Sequence, residues 1–254
     1  KEVEDALASE NFAALSQKLN VKVIHIAERD TQISDKPKLV NEFVNTWSVE
    51  GFYEEGIAPA ELGWGTHEKT LPQNAYEHPS GPKNQICIAQ PGAKTWVRSW
   101  VPNMETTGMV IRHGEAFTIS DHLTVWDNQK AIYRPTVHYA YCPTDAAVAS
   151  MHELEMRQWN LTENQRIMNE EIIDGDDRLG VLLMGHAYKS WWTGSLLNIH
   201  DSRKLIPKQS ATTVQVASAV YAAVAWAMAN PNAGYRVPDQ LPWQEVLAYA
   251  EKYW

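Results

Sequence analysis

A chain of 254 residues with 44% hydrophobic and 21% charged residues has globular composition. It is long enough for one large domain or two small ones, with a core that needs no covalent staples. The net charge of −9 argues against a nucleic-acid partner, whose phosphates call for clustered Lys and Arg, and leans toward cationic or neutral ligands. Two cysteines, Cys87 and Cys142, make neither a disulfide framework nor a zinc site, so reduced thiols in a cytoplasmic protein are expected, with no bound metal. The apolar runs 180–185 and 217–229 fall short of the ~20 residues that span a bilayer, so no membrane partner is expected. A start at Lys1, without Met or a basic-then-apolar leader, suggests a fragment or processed piece and no secretory signal.

In chain order, residues 2–19 place Val3, Leu7, Phe12, Leu15 and Leu19 at roughly helical spacing and predict an amphipathic helix. Residues 21–27 alternate and predict a strand with Glu28 at its end, followed by a polar loop over 29–38. Residues 39–48 are β-like through Val40, Phe43 and Val44 and put Trp47 at another element's end; 49–56 predict a short helix. Residues 57–83 carry four prolines and three glycines and predict a long irregular segment, often a functional one. Strands are predicted at 85–89, 94–101, 107–111, 117–125 and 131–141, then a helix over 144–159 with Thr144 as N-cap. Strands 166–173 and 179–186 flank the turn Asp174-Gly175-Asp176-Asp177. Helices follow over 214–228, with Val216, Val220, Val224 and Met228 in one stripe, and over 241–253 with Pro242 in the first turn. The order predicts an α+β fold: a mixed, mostly antiparallel sheet with helices packed on it and long loops.

Trp47 carries the first chemical signal. It lies between Glu28 upstream and Glu54-Glu55 downstream, and an indole face among carboxylates suits alkylammonium ions, with a cation–π attraction of roughly 0.5–2 kcal/mol. The same indole serves equally as an ordinary core side chain, and the glutamates as solvated element ends. Gly63-Trp64-Gly65-Thr66-His67-Glu68 imitates a dinucleotide fingerprint, but Glu68 replaces the third glycine and no βαβ context surrounds it. His113, after Met109-Val110-Ile111 and beside Gly114, is placed to protrude and to move protons near neutrality, or to be structural. Ser190-Trp191-Trp192-Thr193-Gly194-Ser195 reads as core or as a ligand wall.

At these residues the chain resembles the bacterial homospermidine synthases, of the saccharopine dehydrogenase-like family. The matching pieces are Ile24-His25-Ile26-Ala27-Glu28-Arg29-Asp30-Thr31-Gln32, Asn41-Glu42-Phe43-Val44-Asn45-Thr46-Trp47-Ser48, Glu54-Glu55-Gly56 and Gly63 to Glu68. They continue with Gly108-Met109-Val110-Ile111-Arg112-His113-Gly114-Glu115, Leu196-Leu197-Asn198-Ile199-His200-Asp201 and Ala211-Thr212-Thr213-Val214-Gln215-Val216. The resemblance implies an enzyme of polyamine biosynthesis that converts two putrescines into homospermidine and ammonia through imines, with NAD as a recycled hydride carrier, and a homodimer. It implies that Glu28, Trp47, Glu55 and His113 are catalytic, and that Trp47, Glu28 and Glu55 also bind substrate. The family's N-terminal dinucleotide-binding domain, with its glycine-rich loop, has no counterpart here, so residues 1–254 match the substrate-binding and dimerisation part and the NAD-binding residues are unassigned. Two alternatives stay open: an imine reductase of the carboxynorspermidine or saccharopine dehydrogenase type, and a non-catalytic polyamine-binding or dimerisation fragment.

Overall fold

The predicted helix over 2–19 is two helices, α1 (Glu2–Ala8) and α2 (Phe12–Leu19). The break is chemical: Glu10 takes a left-handed φ of 52°, and Asn11 caps α2 by accepting a hydrogen bond from Ala14 N at 3.0 Å. The chain is a computed structural model describing residues 1–79 and 85–254.

Strand β1 (Val23–Asp30) runs past the predicted 21–27, so Glu28 lies inside the strand, not at its end. The predicted loop 29–38 contains β2 (Ile33–Ser34). β3 (Glu42–Asn45) stops two residues before Trp47, and α3 (Val49–Ile57) follows. Within the expected irregular segment 57–83 lie β4 (Pro59–Gly63) and β5 (Ala75–Glu77); its residues 80–83 fall outside the described residues. Next come β6 (Gln85–Pro91), β7 (Trp96–Val101) and β8 (Met104–Met109). The predicted strand 117–125 is mostly helix, α4 (Glu115–His122), before β9 (Val125–Asp127), β10 (Lys130–Tyr133) and β11 (Thr136–Cys142). Helix α5 (Asp145–Met156) is capped as expected, Thr144 Oγ1 accepting from Ala147 N at 3.2 Å. The predicted strand 166–173 is two short strands, β12 (Asn164–Ile167) and β13 (Ile172–Asp174). Then follow β14 (Asp176–His186), β15 (Lys189–Asn198), α6 (Ile199–Leu205), α7 (Ala211–Ala229) and α8 (Trp243–Ala250).

The described residues divide into two compact units. The first comprises Lys1–Glu28, Tyr53–Cys142 and Leu179–Gly194. It carries most of a nine-stranded sheet ordered β15-β14-β1-β11-β4-β6-β5, with β8 pairing β11 and β7. The β4–β6, β5–β6, β7–β8 and β8–β11 pairings are antiparallel. Ala60, Leu62, Ile86, Ile88 and Val110 form one core cluster of this unit, and Ala27, Val101 and Leu182 another. Helix α4 lies on the sheet through its small residues, Ala116 and Ser120, both fully buried. A Cβ at Gly63 would come within 2.3 Å of Ser120 Cβ, which is why β4 ends in glycine there.

The second unit comprises Arg29–Phe52, Pro143–Arg178 and Ser195–Trp254. Its strands β3 and β12 pair in parallel, and β2 and β13 antiparallel. Val44, Met168, Ile172 and Ile199 form one core, and Leu197, Ala211 and Val214 a second. Helix α7 extends the predicted 214–228 to 19 residues; by length and composition alone it is long and apolar enough to cross a membrane, a test that core helices also pass. One face is seated against its unit through Val214, Ser218, Ala222 and Trp226, while Val216, Val220, Val224 and Met228 stay exposed.

Candidate functional site

Three of the four predicted site residues converge in the first unit. Glu28 is buried on β1, Glu55 lies on α3, and His113 sits four residues past β8, just before α4. His113 Nε2 is 3.7 Å from Glu55 Oε1, and its Nδ1 is hydrogen-bonded to Glu115. The imidazole lies against the ring of Tyr139 at a centroid distance of 4.8 Å. Tyr139, on β11, donates its hydroxyl hydrogen to Glu28 Oε2 at 2.5 Å. The result is a continuous group, Glu55–His113–Glu115 with Tyr139 and Glu28 beneath it, in which one imidazole faces three carboxylates.

The charges shift each other. Burial pushes the Glu55 carboxyl up to about 7; His113 opposes this, and Glu115 and Glu54 add to it. Burial works against a charged His113, but Glu115, Glu55 and Glu28 outweigh it and raise the imidazole above its ordinary value. Glu115 is the other way round: burial raises its carboxyl, yet the bond to His113 holds it below the usual carboxylate range. Burial and the neighbouring Glu28 carboxylate raise Tyr139 well above an ordinary phenol, so it stays a hydrogen-bond donor. A carboxyl raised to about 7 thus lies beside an imidazole raised above its ordinary value, a pairing suited to passing a proton in either direction. Among the described residues, Glu55 Oε2 is buried with no hydrogen-bond partner.

Trp47 belongs to the second unit. Its indole is half-buried rather than core, and it packs on Phe52 at a centroid distance of 6.0 Å. Gly51 makes room for it: a Cβ there would meet Trp47 Cζ3 at 2.8 Å. The indole lines a cavity of about 450 Å³ with Ser48, Ile167, Asn169, Thr213, Val216 and Ala217. This lining holds no carboxylate, so any cation there is held by the ring face and neutral polar groups.

Sequence reasoning left out Glu115 and Tyr139. Glu115 had a signal, a carboxylate two residues past a protruding histidine. Tyr139 had none, since it meets Glu28 across 111 positions. The segment 190–195 lies on β15, where Trp191 and Trp192, with Trp100 and Pro102, wall a second cleft of about 310 Å³ in the first unit.

The family model of the saccharopine dehydrogenase C-terminal domain matches residues 2–252. The chain belongs to that family. Within it, the chain is 49% identical over 253 residues to the homospermidine synthase of Blastochloris viridis, covering 98% of this chain and 53% of that protein. It is 47% identical over 247 residues to the homospermidine synthase of Mesorhizobium japonicum, covering 96% of this chain and 51% of that protein. The solved homospermidine synthase of Legionella pneumophila, in complex with NAD, superimposes with a TM-score of 0.93 at 38% identity, over 99% of this chain and 58% of that one. The chain therefore spans about half the length of the relatives it matches. For a member of this family, the described residues offer no cradle for a dinucleotide pyrophosphate at the one candidate motif. The Cβ space of Gly63 is filled by Ser120 and Ala116, and that of Gly65 by His67 and Thr136.

Proposed function

We propose that this chain is the substrate-handling part of a homospermidine synthase, which joins two putrescines into homospermidine with loss of ammonia. NAD would be held by protein outside these 254 residues and would supply the recycled hydride. Soluble, cytoplasmic work as a homodimer on diamines, without nucleic acid or membrane, completes the reading.

The observation that carries it is the carboxylate-rich group around His113. Putrescine is a dication near neutrality, and its amines react only after losing a proton. Glu28, fixed by Tyr139, supplies charge for an ammonium. Glu55, raised to about 7 and with one oxygen unpartnered among the described residues, takes a proton from an ammonium or returns one to departing ammonia. His113, held by Glu115, is the second proton carrier. Trp47 offers its indole face to an alkylammonium or iminium, which water-exposed carboxylates would bind less selectively. A carboxylated substrate would instead call for an Arg or Lys clamp, and three glutamates oppose it.

The test is turnover by the full-length protein given putrescine and NAD, with products identified by mass spectrometry. Homospermidine and ammonia in equal amounts, with no net NADH, are expected. Net reduction of an imine from a carboxylated amine, with putrescine inert, would overturn the assignment.

A further inference from the structure

Three elements of the second unit meet at one buried carboxylate. Asp30, at the end of β1, is fully buried and accepts four hydrogen bonds. Its Oδ1 receives Gln32 N at 2.9 Å and Gln32 Nε2 at 3.0 Å. Its Oδ2 receives Thr46 Oγ1 at 2.5 Å and Thr212 Oγ1 at 3.0 Å. Thr46 is the residue before Trp47, and Thr212 lies in the first turn of α7, the helix that supplies Thr213, Val216 and Ala217 to the Trp47 cavity.

Further bonds close the clamp. Ser210 Oγ and Thr213 Oγ1 donate to Thr46 O at 2.9 and 3.3 Å. Gln32 Oε1 accepts the free N–H of Ala211 at 2.8 Å. Asp30 thus sits at the positive end of α7, where a carboxylate is favoured. Burial raises the Asp30 carboxyl above its ordinary value, and the bonds from Thr46, Gln32 and Thr212 oppose that shift. Those bonds are directional, whereas an apolar plug of the same volume would fill the space without fixing an angle.

We infer that Asp30 is a positioning residue: acting through Thr46 and Thr212, it sets the gap between the Trp47 indole and the wall of α7, and so the fit of an alkylammonium in that cavity. This rests on the reading of Trp47 as the ring that receives the ammonium. Asp30 does not touch substrate. Its oxygens are saturated by protein donors.

The experiment uses the full-length protein labelled with 5-fluorotryptophan, with the Trp47 fluorine signal assigned by Trp47→Phe. Asp30→Asn and Thr46→Val are expected to shift the Trp47 signal and to raise the putrescine KM about tenfold with kcat within about twofold. Thr46→Ser, which keeps the hydroxyl, is expected to restore both. An unshifted Trp47 signal with wild-type KM in folded Asp30→Asn would overturn the inference. So would losses in KM and kcat that track Tm alone, with Thr46→Ser no better than Thr46→Val. Where Asp30→Asn does not fold, the Thr46→Val and Thr46→Ser pair decides by the same criteria. A shifted signal in a protein that never turns over putrescine would support the positioning role and sink the proposed activity, so the two failures are distinguishable.

Discussion

Tyr139 holds Glu28 by a 2.5 Å hydrogen bond while its ring carries His113 at 4.8 Å. One buried phenol therefore orients both a carboxylate and an imidazole of the same group. Tyr139→Phe keeps the ring and deletes the bond. A hydrogen bond to a charged group contributes about 2 kcal/mol, so kcat/KM for putrescine is expected to fall roughly thirtyfold. Steady-state kinetics with a circular-dichroism check of folding would settle it, and a change under threefold would remove Tyr139 from the site.

On the proposed reading, Glu55 makes the activity pH-dependent. If its carboxylate is the base, kcat/KM falls as pH drops through about 7, where Glu55 takes up its proton. Glu55→Gln should abolish that limb and lower the rate about a hundredfold or more.

The same group leaves a mark on stability. Between its ordinary value of 4.5 and about 7, the folded chain holds a proton on Glu55 that the unfolded chain releases. Stability from this residue is therefore present at low pH and is lost as pH rises through that window. Melting curves of wild type and Glu55→Gln between pH 4.5 and 7.5 should converge at the acid end and favour the variant at the alkaline end. Parallel curves would contradict the shift.

Trp47→Leu keeps an apolar wall and removes the π face. A cation–π term of roughly 0.5–2 kcal/mol predicts a putrescine KM about two- to thirtyfold higher, with Trp47→Phe in between. Equal KM values for the three proteins would leave Trp47 a packing residue.

Ala217 lines the Trp47 cavity with Val216 and Ile167. Ala217→Leu fills part of its 450 Å³. A missing or extra methylene in an apolar pocket changes rates about tenfold, so a five-carbon diamine should lose about that much more kcat/KM than putrescine. An unchanged ratio would place chain-length selection elsewhere.

Much of this was legible in the residues, and the exceptions have physical causes. Thr144 announced the start of α5 because a cap needs only its own first turn. Residues 117–125 misled because Phe117, Ile119, Leu123 and Val125 keep an alternating beat, while the positions that bury α4 are the small Ala116 and Ser120. Strand β1 was cut short because Asp30 and its neighbours look polar. Asp30 is buried only because donors from Thr46, just past β3, and from α7 reach it. Glu28, Glu55 and His113 were named from motifs, but their meeting around Tyr139 depends on sheet order, which local pattern does not encode.

Gly51 deserves its place in α3 for a reason that propensity scales miss. Glycine inside a helix is less stable than alanine by roughly 0.5–1 kcal/mol, so replacing it is a common step toward heat resistance. Here the hydrogen where a methyl would stand leaves the space that Trp47 Cζ3 borders at 2.8 Å. An alanine that stiffens the helix would also push the indole out of its seat. Anyone hardening this protein for industrial use should expect position 51 to trade longevity against the seating of the Trp47 indole.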